Sequence, residues 1–233
     1  MSPGGEVSAG SVALPCRPLP TLHSPTETLM TIILVRHGET ALNAARTLQF
    51  PDTPLGERGL EQARAVGRRF AGAPPKAIVS SDMARARQTA DAIAKATGLS
   101  VIESPLLGER NFGDLRGSRF DDLPYDPIHD DRGPPNGESM AQFRARIAQA
   151  YSWILAMREQ VGGDLAVVSH GLFIREFLAA HAHLPEGLDV PEKLENTSVS
   201  ILLAEPPHTA QLIGCSLHLE GDARGDGRGV VGV

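Results

Sequence analysis

Cysteine, net positive charge and long apolar runs are all scarce or missing in this 233-residue chain. Its two cysteines, Cys16 and Cys215, lie far apart and show no metal-type spacing. They offer no disulfide framework, which is typical of proteins in a reducing compartment, and we expect a cytoplasmic location. A formal net charge of −6 argues against a general binder of nucleic acid or of anionic membranes. No apolar run approaches the ~18 residues that cross a bilayer.

Several motif-based chemistries are also excluded. The sequence contains neither a P-loop nor the glycine fingerprint of dinucleotide-binding proteins. Cys215 has no arginine six residues later, so it does not belong to the loop of a cysteine-dependent phosphatase. His181 and His183 lie two residues apart on a predicted helix, point to different faces and make a poor metal pair.

The two ends of the chain differ from its middle. Residues 1–29 are rich in proline, serine and glycine, and we predict a disordered extension there. Residues 221–233 are predicted to form a flexible, glycine-rich tail. Because the hydrophobic content of 41% is sufficient for a core, we assign residues 30–220 to one folded domain.

Strand-like and helix-like segments alternate within this domain. The segment TIILV, residues 31–35, is short, β-branched and apolar throughout, which is typical of a strand buried on both faces. One predicted helix, residues 57–72, would place Leu60, Ala63 and Phe70 on one side. Further helices are predicted at residues 82–98, 138–160 and 172–182, and further strands at residues 76–81, 99–104, 164–171, 197–205 and 210–219. The alternation predicts an α/β fold of three layers, a mostly parallel sheet with helices on both faces.

Polar groups follow the ends of three predicted strands. The sequences LVRHG and VVSHG bring Arg36, His37 and His170 to such positions. Arg85 follows the strand that ends in IVSSD and lies in the first turn of the next helix. Because ligands of open parallel sheets bind beyond the carboxyl ends of the strands, we expect these four side chains to converge at one edge of the sheet.

The four side chains together suit a phosphoryl group. An arginine presents a planar fork of donors that matches phosphate oxygens, and a helix start adds N–H groups and a favourable dipole near Arg85. His37 is the candidate nucleophile, because nearby cations favour its neutral imidazole. His170 would donate to the phosphoryl oxygens as charge develops.

A leaving alkoxide also needs a proton, which a neighbouring carboxylic acid can deliver. Glu109, in the segment LLGERNFG, is the candidate for this role. Glu39 and Glu103 are carboxylates close to the same motifs, and they remain alternatives at this point.

The segments LVRHGET, SSDMARARQTA, LGERNFG, NGES and VVSHG, in this order, resemble the histidine phosphatase superfamily, whose fold is phosphoglycerate mutase-like. The resemblance covers about residues 31–204. It implies chemistry without metal or cofactor, a phosphohistidine intermediate on His37 and proton donation by Glu109. It also implies a phosphate pocket built from the following residues: Arg36, Asn43, Arg85, His170 and Gly171.

Two positions depart from the family pattern. Arg116, in FGDLRG, stands where family members often carry a glutamate, which adds a cation near the mouth of the pocket. Gly56 stands where a serine or threonine often opens the following helix, which replaces a good N-cap by a fair one.

The resemblance allows hydrolysis, mutase chemistry or phosphate-ester binding without turnover. The mutases of the family carry a long insertion after the acid residue and aromatic-rich substrate segments. Here the chain between Glu109 and Asn136 is short, and residues 44–59 lack tryptophan. We therefore expect a metal-independent phosphatase acting on a small phosphorylated metabolite, with no nucleic-acid or membrane partner. The sequence leaves open whether the protein is a monomer or a homodimer.

Overall fold

The computed structural model describes residues 30–220. The predictions of a disordered extension at residues 1–29 and of a flexible tail at residues 221–233 concern parts of the chain outside the described residues. Within residues 30–220, no helix has the length and apolar character that crossing a membrane requires.

Six strands form one mixed sheet. They are β1 (Thr31–Arg36), β2 (Ala77–Ser80), β3 (Val101–Glu103), β4 (Leu165–Ser169), β5 (Val199–Leu203) and β6 (Ala210–Cys215). Their order across the sheet is β3-β2-β4-β1-β5-β6. β1 pairs in parallel with β4, β4 with β2, and β2 with β3, whereas β5 and β6 add antiparallel pairings at one edge. The predicted α/β fold with a mostly parallel sheet is confirmed.

Helices cover both faces of the sheet. They are α1 (Ala41–Ala44), α2 (Glu57–Ala71), α3 (Ala84–Thr97), α4 (Met140–Val161) and α5 (Gly171–His181). Successive residues of a strand point to opposite faces. Ile32 and Leu34 of β1 therefore join the apolar cluster under α4 and α5. Ile33 and Val35 join the cluster under α2 and α3. This two-sided burial explains why β1 is apolar at every position.

The buried face of α2 differs from the prediction. Leu60 is 40% exposed, so its expected place on the core side is wrong, whereas Ala63 and Phe70 are buried as expected. Gly59 and Gly67 are buried on the same face. This face combines the apolar side chains of Val66 and Phe70 with several small residues, two of which come close to neighbouring backbone.

The expectation about the cysteines stays a prediction. Cys215 is buried at the end of β6, and Cys16 lies outside the described residues.

Two glycines bring α2 against the loop that follows β1. A Cβ atom added to Gly38 would lie 2.6 Å from the carbonyl oxygen of Gly59, and one added to Gly59 would lie 1.9 Å from the carbonyl oxygen of Glu39. Neither distance is compatible with a side chain. The backbone next to His37 is thus fixed by direct contact with α2.

We predict that Gly59→Ala lowers the free energy of unfolding by about 3 kcal/mol or more, because the added methyl group forces α2 away from the loop. The measurement is urea unfolding followed by circular dichroism. The matched control is Gly72→Ala at the end of α2, where the nearest atom to an added Cβ lies 3.6 Å away and φ is −75°. Equal stability of the two variants would contradict the close approach.

Candidate active site

The backbone of His37 is held from two sides at the end of β1. Its N–H donates to the carbonyl oxygen of Ser169, at the end of the neighbouring strand β4, at 2.9 Å. Its carbonyl oxygen accepts from Nδ2 of Asn196 at 3.0 Å and from the backbone N–H of Thr197 at 3.2 Å. The parallel pairing of β1 with β4 therefore brings His37 next to His170, which follows Ser169.

The ring of His37 is oriented by one carbonyl group. Nδ1 lies 2.7 Å from the carbonyl oxygen of Gly38. Because a carbonyl oxygen only accepts, Nδ1 carries the proton, and Nε2 keeps its lone pair. Nε of Arg85 donates to this Nε2 at 3.3 Å. The ring centroid of His170 lies 5.1 Å from that of His37. The unprotonated nitrogen thus faces an arginine.

The side chains that the sequence predicted for catalysis and for phosphate binding are all withdrawn from solvent. Six of them are only 0–3% exposed: Arg36, His37, Asn43, Arg85, Glu109 and His170. Burial, followed by the charges of Arg85 and Arg36, lowers the pKa of His37 well below its ordinary value. The imidazole is therefore neutral at physiological pH, as a nucleophile must be.

Arg36 and Arg85 keep their charges despite burial. Burial lowers the pKa of each guanidinium and the charge of Glu109 opposes this fall, so that the pKa of each is about 10. Backbone carbonyl groups hold the side chains in place. Nη1 of Arg36 donates to the oxygen of Leu194, and Nη1 of Arg85 donates to the oxygen of Phe50 at 3.1 Å. Two fixed cations thus flank His37.

His170 caps the start of α5 and contacts Ser81, which follows β2. Nε2 of His170 lies 2.9 Å from Oγ of Ser81, and this hydroxyl accepts from the backbone N–H of Met83 at 3.2 Å. We assign the hydroxyl hydrogen of Ser81 to the bond with Nε2, which places the imidazole proton on Nδ1. That Nδ1 is buried and has no hydrogen-bond partner within residues 30–220. It is available to donate to an incoming oxygen.

The carboxylate of Glu109 lies at the start of α5. It accepts backbone N–H groups from Leu172 and Phe173, both at 3.1 Å, and from Arg110 at 3.0 Å. Burial raises its pKa, while these hydrogen bonds and the arginine charges oppose the rise, and the net direction is upward. An entering phosphoryl dianion would raise the pKa further, because like charges disfavour the ionised form. Glu109 is therefore suited to hold a proton.

The two alternative carboxylates are engaged elsewhere. Glu39 accepts from Nε of Arg58 on α2 at 2.9 Å. Glu103 is exposed at the end of β3 and forms an ion pair with Arg87. Of the three, Glu109 is the one that the fold buries, and this burial raises its pKa.

Asn43 and Gly171 take structural positions beside this cluster. Asn43 forms the capping box of α1 with Thr40, whose hydroxyl donates to Oε1 of Gln49 at 2.7 Å. Gly171 is the first residue of α5, directly after His170. Their predicted contacts with phosphate remain predictions.

Sequence reasoning missed two residues that position others. Ser81 lies within the segment SSDMARARQTA, so its place at a strand end is the signal that could have identified it. Arg146 of α4 donates to the carbonyl oxygens of Leu106, Gly108 and Glu109 at 3.0, 2.8 and 3.1 Å. It fixes the backbone that carries Glu109. No local pattern reveals an arginine whose partners are distant carbonyl groups.

With this fold and this arrangement of histidines and arginines, the chain belongs to the histidine phosphatase superfamily. The model of branch 1 of that family matches residues 32–212. The chain is 34% identical over 183 residues to the probable phosphoglycerate mutase GpmB of Erwinia tasmaniensis, covering 74% of this chain and 84% of that protein. The corresponding protein of Yersinia pestis is 35% identical over 182 residues, with the same coverage. The resemblance stated from the sequence is confirmed.

Solved structures agree with this assignment. The mycobacterial glucosyl-3-phosphoglycerate phosphatase, solved in complex with VO3, superposes with a TM-score of 0.64 at 30% identity, covering 74% of this chain and 90% of that chain. The phosphoglycerate mutase from Bacillus anthracis has a TM-score of 0.68 at 24% identity, covering 81% of this chain and 93% of that chain. The second likeness concerns the fold alone.

The depressed pKa of His37 predicts a pH-dependent stability. Below pH ~6.5 the unfolded chain binds a proton on this imidazole that the folded chain does not, so stability falls as the pH falls. We predict that His37→Gln reduces this slope between pH 6 and 5 by up to about 1.4 kcal/mol per pH unit. The measurement is urea unfolding at several pH values.

The exposed His183 supplies the control for that series. His183→Gln is expected to leave the slope close to that of the wild type. A His37→Gln slope equal to the wild-type slope would show that the folded protein protonates His37 as readily as the unfolded chain.

Proposed function

We propose that this protein is a metal-independent phosphatase that hydrolyses a small phosphomonoester through a phosphohistidine on His37. One observation carries the proposal: the unprotonated Nε2 of a buried, neutral imidazole lies 3.3 Å from the guanidinium of Arg85. A nucleophile and a phosphate-binding cation are thus adjacent, in a site where water does not weaken their electrostatic interaction with a substrate.

In the first half-reaction, Arg36, Arg85 and Nδ1 of His170 bind the phosphoryl oxygens. Nε2 of His37 attacks phosphorus, an N–P bond forms and the ester P–O bond breaks. Glu109 transfers its proton to the departing alkoxide, which leaves as the free alcohol. Nδ1 of His37 keeps its proton and its bond to the Gly38 carbonyl, so the ring orientation is maintained.

In the second half-reaction, the carboxylate of Glu109 takes a proton from water as the water attacks phosphorus. The N–P bond breaks, inorganic phosphate is released and Nε2 of His37 regains its lone pair. Glu109 ends protonated, ready for the next cycle. Arg36 and Arg85 stabilise the charge on the phosphoryl oxygens in both steps.

Mutase chemistry is the second candidate, because the named curated relatives are probable phosphoglycerate mutases. A mutase must return the phosphoryl group to a substrate hydroxyl and shield the intermediate from water. The short chain between Glu109 and Asn136 and the lack of tryptophan in residues 44–59 favour hydrolysis. A binding module without turnover is a third reading, and the presence of nucleophile, acid and phosphate-binding groups weighs against it.

The first test is a screen of phosphomonoesters for release of inorganic phosphate in the presence of a chelator. We expect turnover that survives chelation, falls at least about 10³-fold in His37→Ala, and falls about 10²- to 10³-fold in Arg85→Ala. His183→Ala is the control and should retain wild-type rates. A requirement for added metal would contradict the mechanism. Interconversion of phosphoglycerates without net phosphate release would favour the mutase.

The second test separates the acid role of Glu109 from a structural one. Glu109→Gln should lower kcat/KM by about 10²- to 10⁴-fold for alkyl phosphates and by less than about tenfold for aryl phosphates, whose leaving groups need little protonation. The ratio kcat/KM is the proper measure, because it reports only steps up to departure of the first product. Equal losses for both classes of ester would remove Glu109 from the acid role. Glu103→Gln is the matched control.

A further inference from the structure

The segment NGES, residues 136–139, belongs to the motif set quoted above but has no role in the reaction described so far. Asn136 has a left-handed backbone, with φ 56°, and its Nδ2 donates to the carboxylate of Asp114 at 3.0 Å. A Cβ atom added to Gly137 would lie 2.5 Å from the carbonyl oxygen of Asn111, so no side chain fits there. The segment therefore packs directly against the chain that follows the candidate acid.

Glu138, the third residue of this segment, holds that chain at three points. Its Oε2 accepts from the backbone N–H of Asn111 at 2.8 Å, and its own N–H donates to the carbonyl oxygen of Asn111 at 2.8 Å. Its carbonyl oxygen accepts from Nε of Arg110 at 2.9 Å. Glu138 is thus bonded to both residues that directly follow Glu109.

Glu138 also orients Arg146 of α4. Its Oε1 accepts from Nε of Arg146 and its Oε2 from Nη2, both at 2.8 Å. Such a two-point pairing fixes the plane of the guanidinium, and hence the direction of the donors that reach the carbonyl oxygens of Leu106, Gly108 and Glu109. The two side chains are only 18% and 20% exposed, so water and salt screen the pair weakly. The backbone of Glu109 is therefore held from both sides.

This support matters where the carboxylate of Glu109 meets α5. The N–H groups of Leu172 and Phe173 lie in the first turn of that helix, where no carbonyl group of the helix accepts from them. Both donate to Glu109 instead, at 3.1 Å. A displacement of about 1 Å at a reacting group can lower a rate about 10²-fold. The position of the Glu109 backbone thus determines whether its carboxyl group can serve as an acid.

We propose that Glu138 is a positioning residue for the acid: it holds the backbone of Glu109 through its neighbours and through Arg146, and so keeps the carboxyl group at the leaving oxygen. The inference rests on the proposed function and assigns a role to the NGES segment. In Glu138→Gln, an NH2 group replaces one accepting oxygen, so at least one of the three bonds to the carboxylate is lost, and Arg146 loses its charge partner.

The kinetic test compares two esters. A misplaced acid slows departure of a poor leaving group and spares a good one. We expect Glu138→Gln to lower kcat/KM about 10- to 100-fold for β-glycerophosphate and less than about threefold for para-nitrophenyl phosphate. Equal losses for the two esters, or no loss for either, would overturn the proposal.

Glu176→Gln is the matched control. The carboxylate of Glu176, on α5, accepts from Nε of Arg144 on α4 at 2.8 Å, and its side chain is 22% exposed. It resembles Glu138 in burial and in its arginine partner, but its printed bonds do not reach the chain around Glu109. The control should keep wild-type rates with both esters.

Hydrogen exchange at the N–H groups of Leu172 and Phe173, followed by NMR, separates this inference from the proposed function. We expect both to exchange at least about tenfold faster in Glu138→Gln and at the wild-type rate in Glu176→Gln, although Glu176 lies on the same helix. If the wild type hydrolyses no ester, the hydrolytic mechanism fails, and the exchange rates still decide whether Glu138 positions Glu109. Unchanged exchange in Glu138→Gln would overturn that role.

A second variant covers the case in which Glu138→Gln does not fold. Glu138→Asp keeps the charge and shortens the side chain by one methylene group. We expect the same preference for loss on β-glycerophosphate and the same faster exchange, both smaller in size. Its failure to discriminate between the esters would count against the proposal in the same way.

Discussion

Two buried guanidinium groups beside a neutral imidazole are the interaction on which the rest of the structure depends. Arg36 and Arg85 are almost completely withdrawn from water, and burying an unbalanced charge is strongly unfavourable. Backbone carbonyl oxygens and the carboxylate of Glu109 compensate part of that cost. In the proposed function, an entering phosphoryl dianion completes the compensation. Burial and the same cations keep His37 neutral, so in the proposed function one arrangement provides both the binding charge and the nucleophile.

Contacts from three helices hold the cluster around His37 in place. Gly59 lets α2 contact the loop after His37, and the first turn of α5 holds the carboxylate of Glu109 through its backbone N–H groups. Arg146 of α4 fixes the carbonyl groups around Glu109. Elements that are distant in sequence therefore set the distances within the cluster. Changes in helix packing should affect the reaction even where they touch no substrate.

The parallel sheet explains why much of this could be predicted. Once LVRHG and VVSHG are recognised as strand ends, the geometry of neighbouring parallel strands places His37 near His170, and the structure has them in that position. The outward position of Leu60 on α2 could not be predicted, because the close contact made by the neighbouring Gly59 leaves no apolar signal in the sequence. The hydrogen bonds of Arg146 to three carbonyl groups could not be predicted either, because they join residues that come together only after folding.

The phosphorylation of His37 is the claim on which the other claims depend, and trapping the intermediate tests it most directly. Protein mixed with a labelled phosphomonoester is quenched within milliseconds, and the adduct is mapped by its label and mass. We expect an acid-labile, base-stable phosphoryl group on His37 that disappears as inorganic phosphate is released. Turnover without such an adduct, or an adduct on another side chain, would contradict the account.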